Sequence, residues 1–316
     1  MYFIGIDLGG TNIATGVVDQ QGKIVAKNSI KTQASRHYNE IIKDMAESCL
    51  KVCKENNISF EDISGIGIGT PGTVQPGTGI ITFANNLGFH NVPMKQEMEK
   101  LLKKPVFVGN DANVAALGEV FCGGAKGYRY AVTVTLGTGV GAGVIIDGKI
   151  YEGFNGGAVE MGHSIIKFDG IQCNCGRRGC WEQYASASAL INQTKEQMGK
   201  HPESLMWHIC ENDLEKCNGR TAFAAAQQGD KPAAQIVDQY ITYIAYGLGD
   251  VINIFQPEII LIGGGISGEG EYLLKPLREK TYSFCYAGPD GMKLAKIEKA
   301  QLGNDAGIIG AAALSM

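Results

Sequence analysis

The stretch IGIDLGGTNIATGVVD, Ile4 to Asp19, decides the reading of this chain. It reads as a strand from Phe3 to Asp7, a glycine turn, a second strand from Ala14 to Val18, and a turn at Asp19-Gln20-Gln21-Gly22. VTVTLGTGVGAGVIID, Val132 to Asp147, aligns with it without a gap, and Gly148-Lys149-Ile150 then echoes Gly22-Lys23-Ile24. Two β-hairpins of one design imply two domains of one design. Each turn suits a phosphate. Gly9 and Gly10 in the first and Gly139 in the second lack a Cβ, so backbone N–H groups can face an anion, and Thr11 and Thr138 add a hydroxyl donor. Asp7, on the strand just before the first turn, is placed to hold Mg2+ through water, because that ion combines carboxylates with substrate phosphates. Asp19 and Asp147 read as turn residues.

Outward from the first hairpin, Lys23 to Lys27 continues the strands. A helical period over Tyr38 to Glu55 puts Ile41, Ile42, Met45, Cys49, Leu50 and Cys53 on one face. Ile63 to Ile68 is a strand, Met94 to Lys103 a helix, Val106 to Gly109 a strand and Ala112 to Phe121 a helix. This order predicts an α/β chain, with helices on the faces of a mixed sheet. Beyond the second hairpin, helices are expected over Trp181 to Met198, Pro202 to Cys217, Thr221 to Gln228 and Lys231 to Phe255. A strand at Ile259 to Ile262 and a final helix at Asp305 to Leu314 follow. The expected domains are 1–115 with 302–316, and 116–301.

Composition narrows the function. The chain has 316 residues with 44% apolar and 19% charged side chains, an ordinary balance for a folded domain pair. A net charge of -4 without a long Lys/Arg run argues against nucleic acid as a partner. The N-terminus has no charged region and cleavage site, and no apolar run is long enough to span a bilayer, so a cytoplasmic protein without a membrane partner is expected. In such a compartment nine cysteines argue against a disulfide framework.

Of three further motifs, two carry chemistry. Gly67-Ile68-Gly69-Thr70-Pro71-Gly72 matches G-x-G-x-x-G, but Pro71 and the residues after it do not open a helix, so a dinucleotide site is rejected. Asn110-Asp111 stands at a strand end leading into a helix. Either residue suits a helix cap, and Asp111 equally suits a base that orients a substrate hydroxyl and takes its proton. His163 precedes Cys173, Cys175 and Cys180, with Gly176 and Gly179 allowing a knuckle. One His and three Cys make a closed tetrahedral Zn2+ site, structural because no position stays open for water. The Asn, Asp, Glu and His side chains gathered here suit a small neutral polyhydroxyl substrate.

Together these motifs resemble the bacterial ROK sugar kinases (repressor, open reading frame, kinase), and most of all their glucokinases. The resemblance covers Asp7-Leu8-Gly9-Gly10-Thr11, Gly69-Thr70-Pro71-Gly72, Asn110-Asp111, Leu136 to Gly143, Glu160-x-Gly162-His163, the Cys173 to Glu182 element and Gly263-Gly264-Gly265. It implies an actin-like ATPase (ribonuclease H-like) fold, two α/β domains with a cleft between them. It further implies ATP-dependent phosphorylation of a hexose 6-hydroxyl, glucose first, with Asp111 as catalytic base. Asn110, Glu160, His163 and Glu182 would grip the sugar, with Asn86, or Asn85 beside it, from a segment similar to the family's Asn-Leu-x-Trp in which Phe89 stands for Trp. Gly10, Thr11, Thr138 and Gly264 would line the ATP site. A homodimer or higher homo-oligomer is the family's expectation. N-acetylmannosamine, N-acetylglucosamine and fructose kinases share the motifs. A sugar-responsive repressor is disfavoured because Asp7 already lies in the first hairpin, leaving no room for a DNA-binding module. A non-catalytic sensor is disfavoured because Asp111 is present.

Overall fold

The structure, a computed structural model, describes residues 1–286 and 288–316. The chain opens with β1 (Tyr2–Leu8), β2 (Asn12–Asp19) and β3 (Ile24–Lys31), then α1 (Tyr38–Glu55) and β4 (Ile63–Thr70). Three short strands follow, β5 (Thr73–Gln75), β6 (Ile80–Ala84) and β7 (Phe89–Val92), before α2 (Met94–Leu102), β8 (Val106–Asn110) and α3 (Asp111–Cys122). The first five-stranded sheet has the order β3-β2-β1-β4-β8. β1 runs antiparallel to β2 and parallel to β4, and β4 runs parallel to β8. The central strands β1 and β4 are buried along most of their length, as expected of strands covered on both faces. Helix α1 covers one face with Ile41, Ile42, Met45, Cys49, Val52 and Cys53. Leu50 departs from the expected stripe: it is 47% exposed, and Val52 takes the buried position.

The second hairpin is β9 (Ala131–Leu136) and β10 (Val140–Ile146), followed by β11 (Lys149–Ile150). Helices α4 (Glu182–Ala185), α5 (Ala187–Lys200), α6 (Leu205–Ile209), α7 (Thr221–Gln227) and α8 (Lys231–Phe255) come next. The chain closes with β12 (Ile259–Gly263), α9 (Glu271–Phe284), α10 (Gly288–Gly291), β13 (Lys296–Lys299) and α11 (Ala306–Ala313). The second five-stranded sheet has the order β11-β10-β9-β12-β13, which is the order of the first sheet repeated. The duplication seen in the hairpins therefore extends to all five strands.

Two expected helices are broken. The span 181–198 divides at Ser186, whose hydroxyl accepts from the Ala189 N–H at 3.0 Å and so starts α5 as a new helix. The span 202–217 holds only α6 and a single turn at Leu214–Lys216, because Ser204 and Asp213 each cap a fresh start. Pro232 lies in the first turn of α8, whose cap Asp230 accepts from Ala233 N–H at 2.8 Å.

The chain divides into two compact units, 1–133 with 143–159 and 300–316, and 134–142 with 160–299. The expected boundaries at 115 and 302 differ from this division, which keeps α3 and its partner α11 together. In the first unit α11 lies directly on the sheet. A Cβ at Gly5 or Gly67 would collide with the Ile308 or Ala311 carbonyl, and one at Gly118 of α3 would lie 2.7 Å from the Ala306 carbonyl oxygen. Gly72, with φ +89°, has no room for a side chain against Phe83 and Ala84. The G-x-G-x-x-G glycines thus serve packing and a tight turn. Among the described residues no helix is long and apolar enough to cross a membrane.

Candidate active site

In the first unit, the β1–β2 turn closes with the Gly9 N–H donating to the Asn12 carbonyl at 2.9 Å. The Thr32 hydroxyl donates to the Gly9 carbonyl at 2.6 Å and its N–H to the Thr11 carbonyl at 3.0 Å, so the residue just past β3 braces the turn. The turn's own carbonyls are thereby engaged inward, and Thr11 stays exposed. Asp7 is largely buried just before it, and burial raises its carboxyl above the usual range. The first turn of α11 comes close: a Cβ at Gly307 would lie 2.7 Å from the Asp7 carboxylate. The exposed Asn86, in the turn Asn85–Leu87, stands beside the same hairpin. A Cβ on Gly10 would be 3.5 Å from Asn86 Cβ.

At the end of β8 the two roles open to Asn110 and Asp111 separate. Asn110 is the cap of α3: its Oδ1 accepts from the Ala112 and Asn113 N–H groups at 3.0 and 3.2 Å, and its Nδ2 donates to the Gly72 carbonyl at 3.0 Å. Asp111 is the first helical residue, its Oδ1 accepting from the Ala112 N–H at 2.8 Å. Asn110 is thus the cap residue and Asp111 the residue after it, their carboxamide and carboxylate oxygens sharing the Ala112 N–H. Asn110's cap bonds leave one amide hydrogen of Nδ2 for a ligand.

In the second unit, the β9–β10 turn is held by the Ala187 N–H, which donates to the Gly137 carbonyl at 2.8 Å from the start of α5. Thr138 is exposed at its tip. Gly264, with φ +84°, follows β12 and lies so close to Leu136 that any side chain would strike its backbone. A Cβ at Gly139 would lie 2.7 Å from Glu182 Oε2. The second turn, Gly264 and Glu182 are thus neighbours. Glu160, exposed, precedes the turn Met161–His163, and Gly162 there packs against the Val140 backbone too closely for a Cβ.

The four expected metal ligands converge. One ligand atom each from His163, Cys173, Cys175 and Cys180 lies within 4.8 Å of the others. Cys175 Sγ stands 3.5 Å from Cys180 Sγ, and Cys173 Sγ 3.8 Å from His163 Nδ1. Thiolates about 2.3 Å from one tetrahedral ion would stand about 3.8 Å apart, so the donor set fits zinc. The knuckle is built by backbone bonds: Cys173 N–H to the Arg177 carbonyl at 2.8 Å and Gly176 N–H to the Cys173 carbonyl at 3.0 Å. Arg177 bears on the exposed Cys175. Its backbone N–H, then its guanidinium, lower that thiol to about 6, so the thiolate that binds metal is present at neutral pH. Burial, then hydrogen bonds to the neighbouring cysteines, pushes Cys180 up to about 12. All nine cysteines are free. Glu182 leans onto the cluster, with Oε1 3.2 Å from Cys173 Sγ and 3.7 Å from His163 Nδ1.

The structure thus gathers Asp7, Gly9, Gly10, Thr11 and Asn86 around one hairpin, and Thr138, Gly139, Gly264, Glu182 and the knuckle around the other. A cavity of about 470 Å3 in the second unit, between Lys167, Tyr184, Gln193 and Tyr243, includes none of these residues. Glu119 of α3, 1% exposed, is an addition of the structure. The one signal for it was a carboxylate within a run of small and apolar residues.

The sequence matches the ROK family over residues 3–316. It is 39% identical over 312 residues to a glucokinase of Thermotoga maritima, spanning 98% of this chain and 96% of that one. It is 37% identical over 314 residues to a glucokinase of Streptomyces coelicolor, spanning 99% and 96%. The crystal structure of a ROK family glucokinase from Streptomyces griseus in complex with glucose and AMPPNP superposes with a TM-score of 0.83, at 34% identity and 99% coverage of both chains. The duplicated sheet is accordingly the actin-like, ribonuclease H-like fold of sugar kinases. A match running from residue 3 to residue 316, with a fold shared along both units, places this chain in the ROK family.

Proposed function

We propose that the protein is an ATP-dependent kinase that phosphorylates the 6-hydroxyl of glucose. The observation that carries the reading is the arrangement at the end of β8, where Asn110 caps α3 and Asp111 takes the first helical position. The glucokinases at 39% and 37% identity, and the related kinase solved with glucose and AMPPNP, support the choice of sugar and nucleotide.

In this reading Asp111 orients the 6-hydroxyl and accepts its proton as the oxygen attacks the terminal phosphorus. Asn86, Asn110, Glu160, His163 and Glu182 hold the remaining hydroxyls. The turns at Gly9-Gly10-Thr11 and Thr138-Gly139, with Gly264, bind the nucleotide through N–H and hydroxyl donors. Asp7 supplies the carboxylate for Mg2+, which when bound with ATP neutralises charge on the phosphates. Zn2+, held by His163, Cys173, Cys175 and Cys180, closes the knuckle and has no place in phosphoryl transfer. His163 faces the cluster through Nδ1, so Nε2 is the nitrogen it offers to sugar. A homodimer or higher homo-oligomer, which light scattering measures, completes the reading.

The test is ADP release with MgATP over glucose, mannose, fructose, N-acetylglucosamine and N-acetylmannosamine. The highest kcat/KM is expected with glucose. A preference for an N-acetylated sugar or fructose overturns the substrate, and no ADP with any of them overturns the kinase.

A further inference from the structure

We propose that Glu119 is a positioning residue for the reaction: it sets the start of α11, and with it the surroundings of Asp7, relative to the helix that begins with Asp111. The inference rests on the roles given above to Asp7 and Asp111. Glu119 is 1% exposed, and among the described residues no Lys, Arg or His pairs with it. Three backbone N–H groups take the place of a cation. Oε1 accepts from Gln301 and Leu302 at 2.9 and 2.8 Å, and Oε2 accepts from Gly124 at 2.7 Å. Hydrogen bonds to a carboxylate are short and about twice as strong as neutral ones, so this clamp is stiff.

The clamp lies on a short path between the two functional carboxylates. Glu119 is on α3, two turns from Asp111. Leu302 leads through the turn Gly303–Asp305 into α11. Gly307, in the first turn of α11, stands against the Asp7 carboxylate, where a Cβ would come within 2.7 Å. Gly118, beside Glu119, lets α11 approach α3, since its Cβ would lie 2.7 Å from the Ala306 carbonyl oxygen. Moving residues 301–302 therefore moves the wall of the Asp7 site while the Asp111 helix stays where it is. In phosphoryl transfer a misplacement of about 1 Å costs on the order of 10²-fold in rate.

Glu119→Gln keeps the side chain's size but turns an amide NH2 toward N–H donors on one side of the clamp. The expected result is a kcat lowered about 10- to 100-fold, with the glucose KM changed by less than about three-fold, and a higher Mg2+ concentration for half-maximal rate. Gly307→Ala crowds Asp7 without touching Glu119 or Asp111 and is expected to give the same pattern. A lowered melting temperature with kcat within about two-fold of the parent in either variant overturns the proposal, because a purely structural clamp would do that. If Glu119→Gln does not fold, Gly307→Ala decides alone. Asp111→Asn run in parallel keeps the two readings apart: full turnover there removes the base, whatever the other variants do.

Discussion

The two hairpins share strand order and turn length, yet only the first carries a carboxylate just before its turn. Asp7 on β1 corresponds in the repeat to Thr135 on β9. The last strand of the first sheet, β8, runs into Asn110-Asp111, while its counterpart β13 runs into Ala300-Gln301. A duplicated scaffold thus gives two cradles of glycine and threonine, and only in the first copy does a carboxylate stand where the hairpin's first strand meets its turn and where the sheet's last strand meets the following helix. Cradling a phosphate needs only backbone and hydroxyl donors, whereas holding a divalent ion and taking a proton need carboxylates.

This contrast is open to attack at several points. Asp111→Ala has the largest expected effect: turnover falls about 10² to 10⁴-fold while nucleotide still binds, measured by ADP release and nucleotide titration. Asp7→Asn is next, with a loss on the order of 10²-fold that extra Mg2+ does not restore. The same variant has a second signature. Burial raises the Asp7 carboxyl in the folded state, so the fold binds that proton more tightly than the unfolded chain does. Its favourable contribution is present at low pH and lost as pH rises through the raised value. At pH 7 the ligand-free Asp7→Asn protein is therefore expected to melt higher than the parent, although it is nearly inactive. A lower melting temperature would contradict a buried, unneutralised carboxylate.

Zinc removal, or Cys175→Ser, is expected to raise the sugar KM about 10- to 100-fold and to lower the melting temperature, with kcat less affected. Unchanged sugar kinetics in zinc-free protein would detach the knuckle from the sugar grip. Thr135→Val should do least, altering kcat/KM by less than about three-fold. A loss there comparable to that of Asp7→Asn would break the contrast between the hairpins.

Much of this arrangement was legible in the residues. The hairpins, Asn110-Asp111 and the His163/Cys173/Cys175/Cys180 set rest on local chemistry that short motifs state directly, and the ligand atoms do converge. The small sheet β5-β6-β7 was not read, since its strands of three to five residues carry too little periodicity. Strand β13, whose residues Lys296, Glu298 and Lys299 are exposed, gave no apolar signal either. The break at Ser186 was missed because the apolar period runs on past the cap. The reason for Gly5 and Gly67 is non-local: each faces a helix some 300 or 240 residues further along.

That packing orders events in time. α11 fits onto β1 and β4 through glycines that leave a bare face until it arrives. Synthesis proceeds from the N-terminus, so the sheet begun with the first residues waits for the last ones, while the second unit has everything it needs by Lys299. The half of the enzyme made first is the half completed last, and Asp7 acquires its neighbour Gly307 only at that closing step. Until then the nascent chain exposes an apolar sheet face, which makes this interval the one in which a chaperone has most to cover.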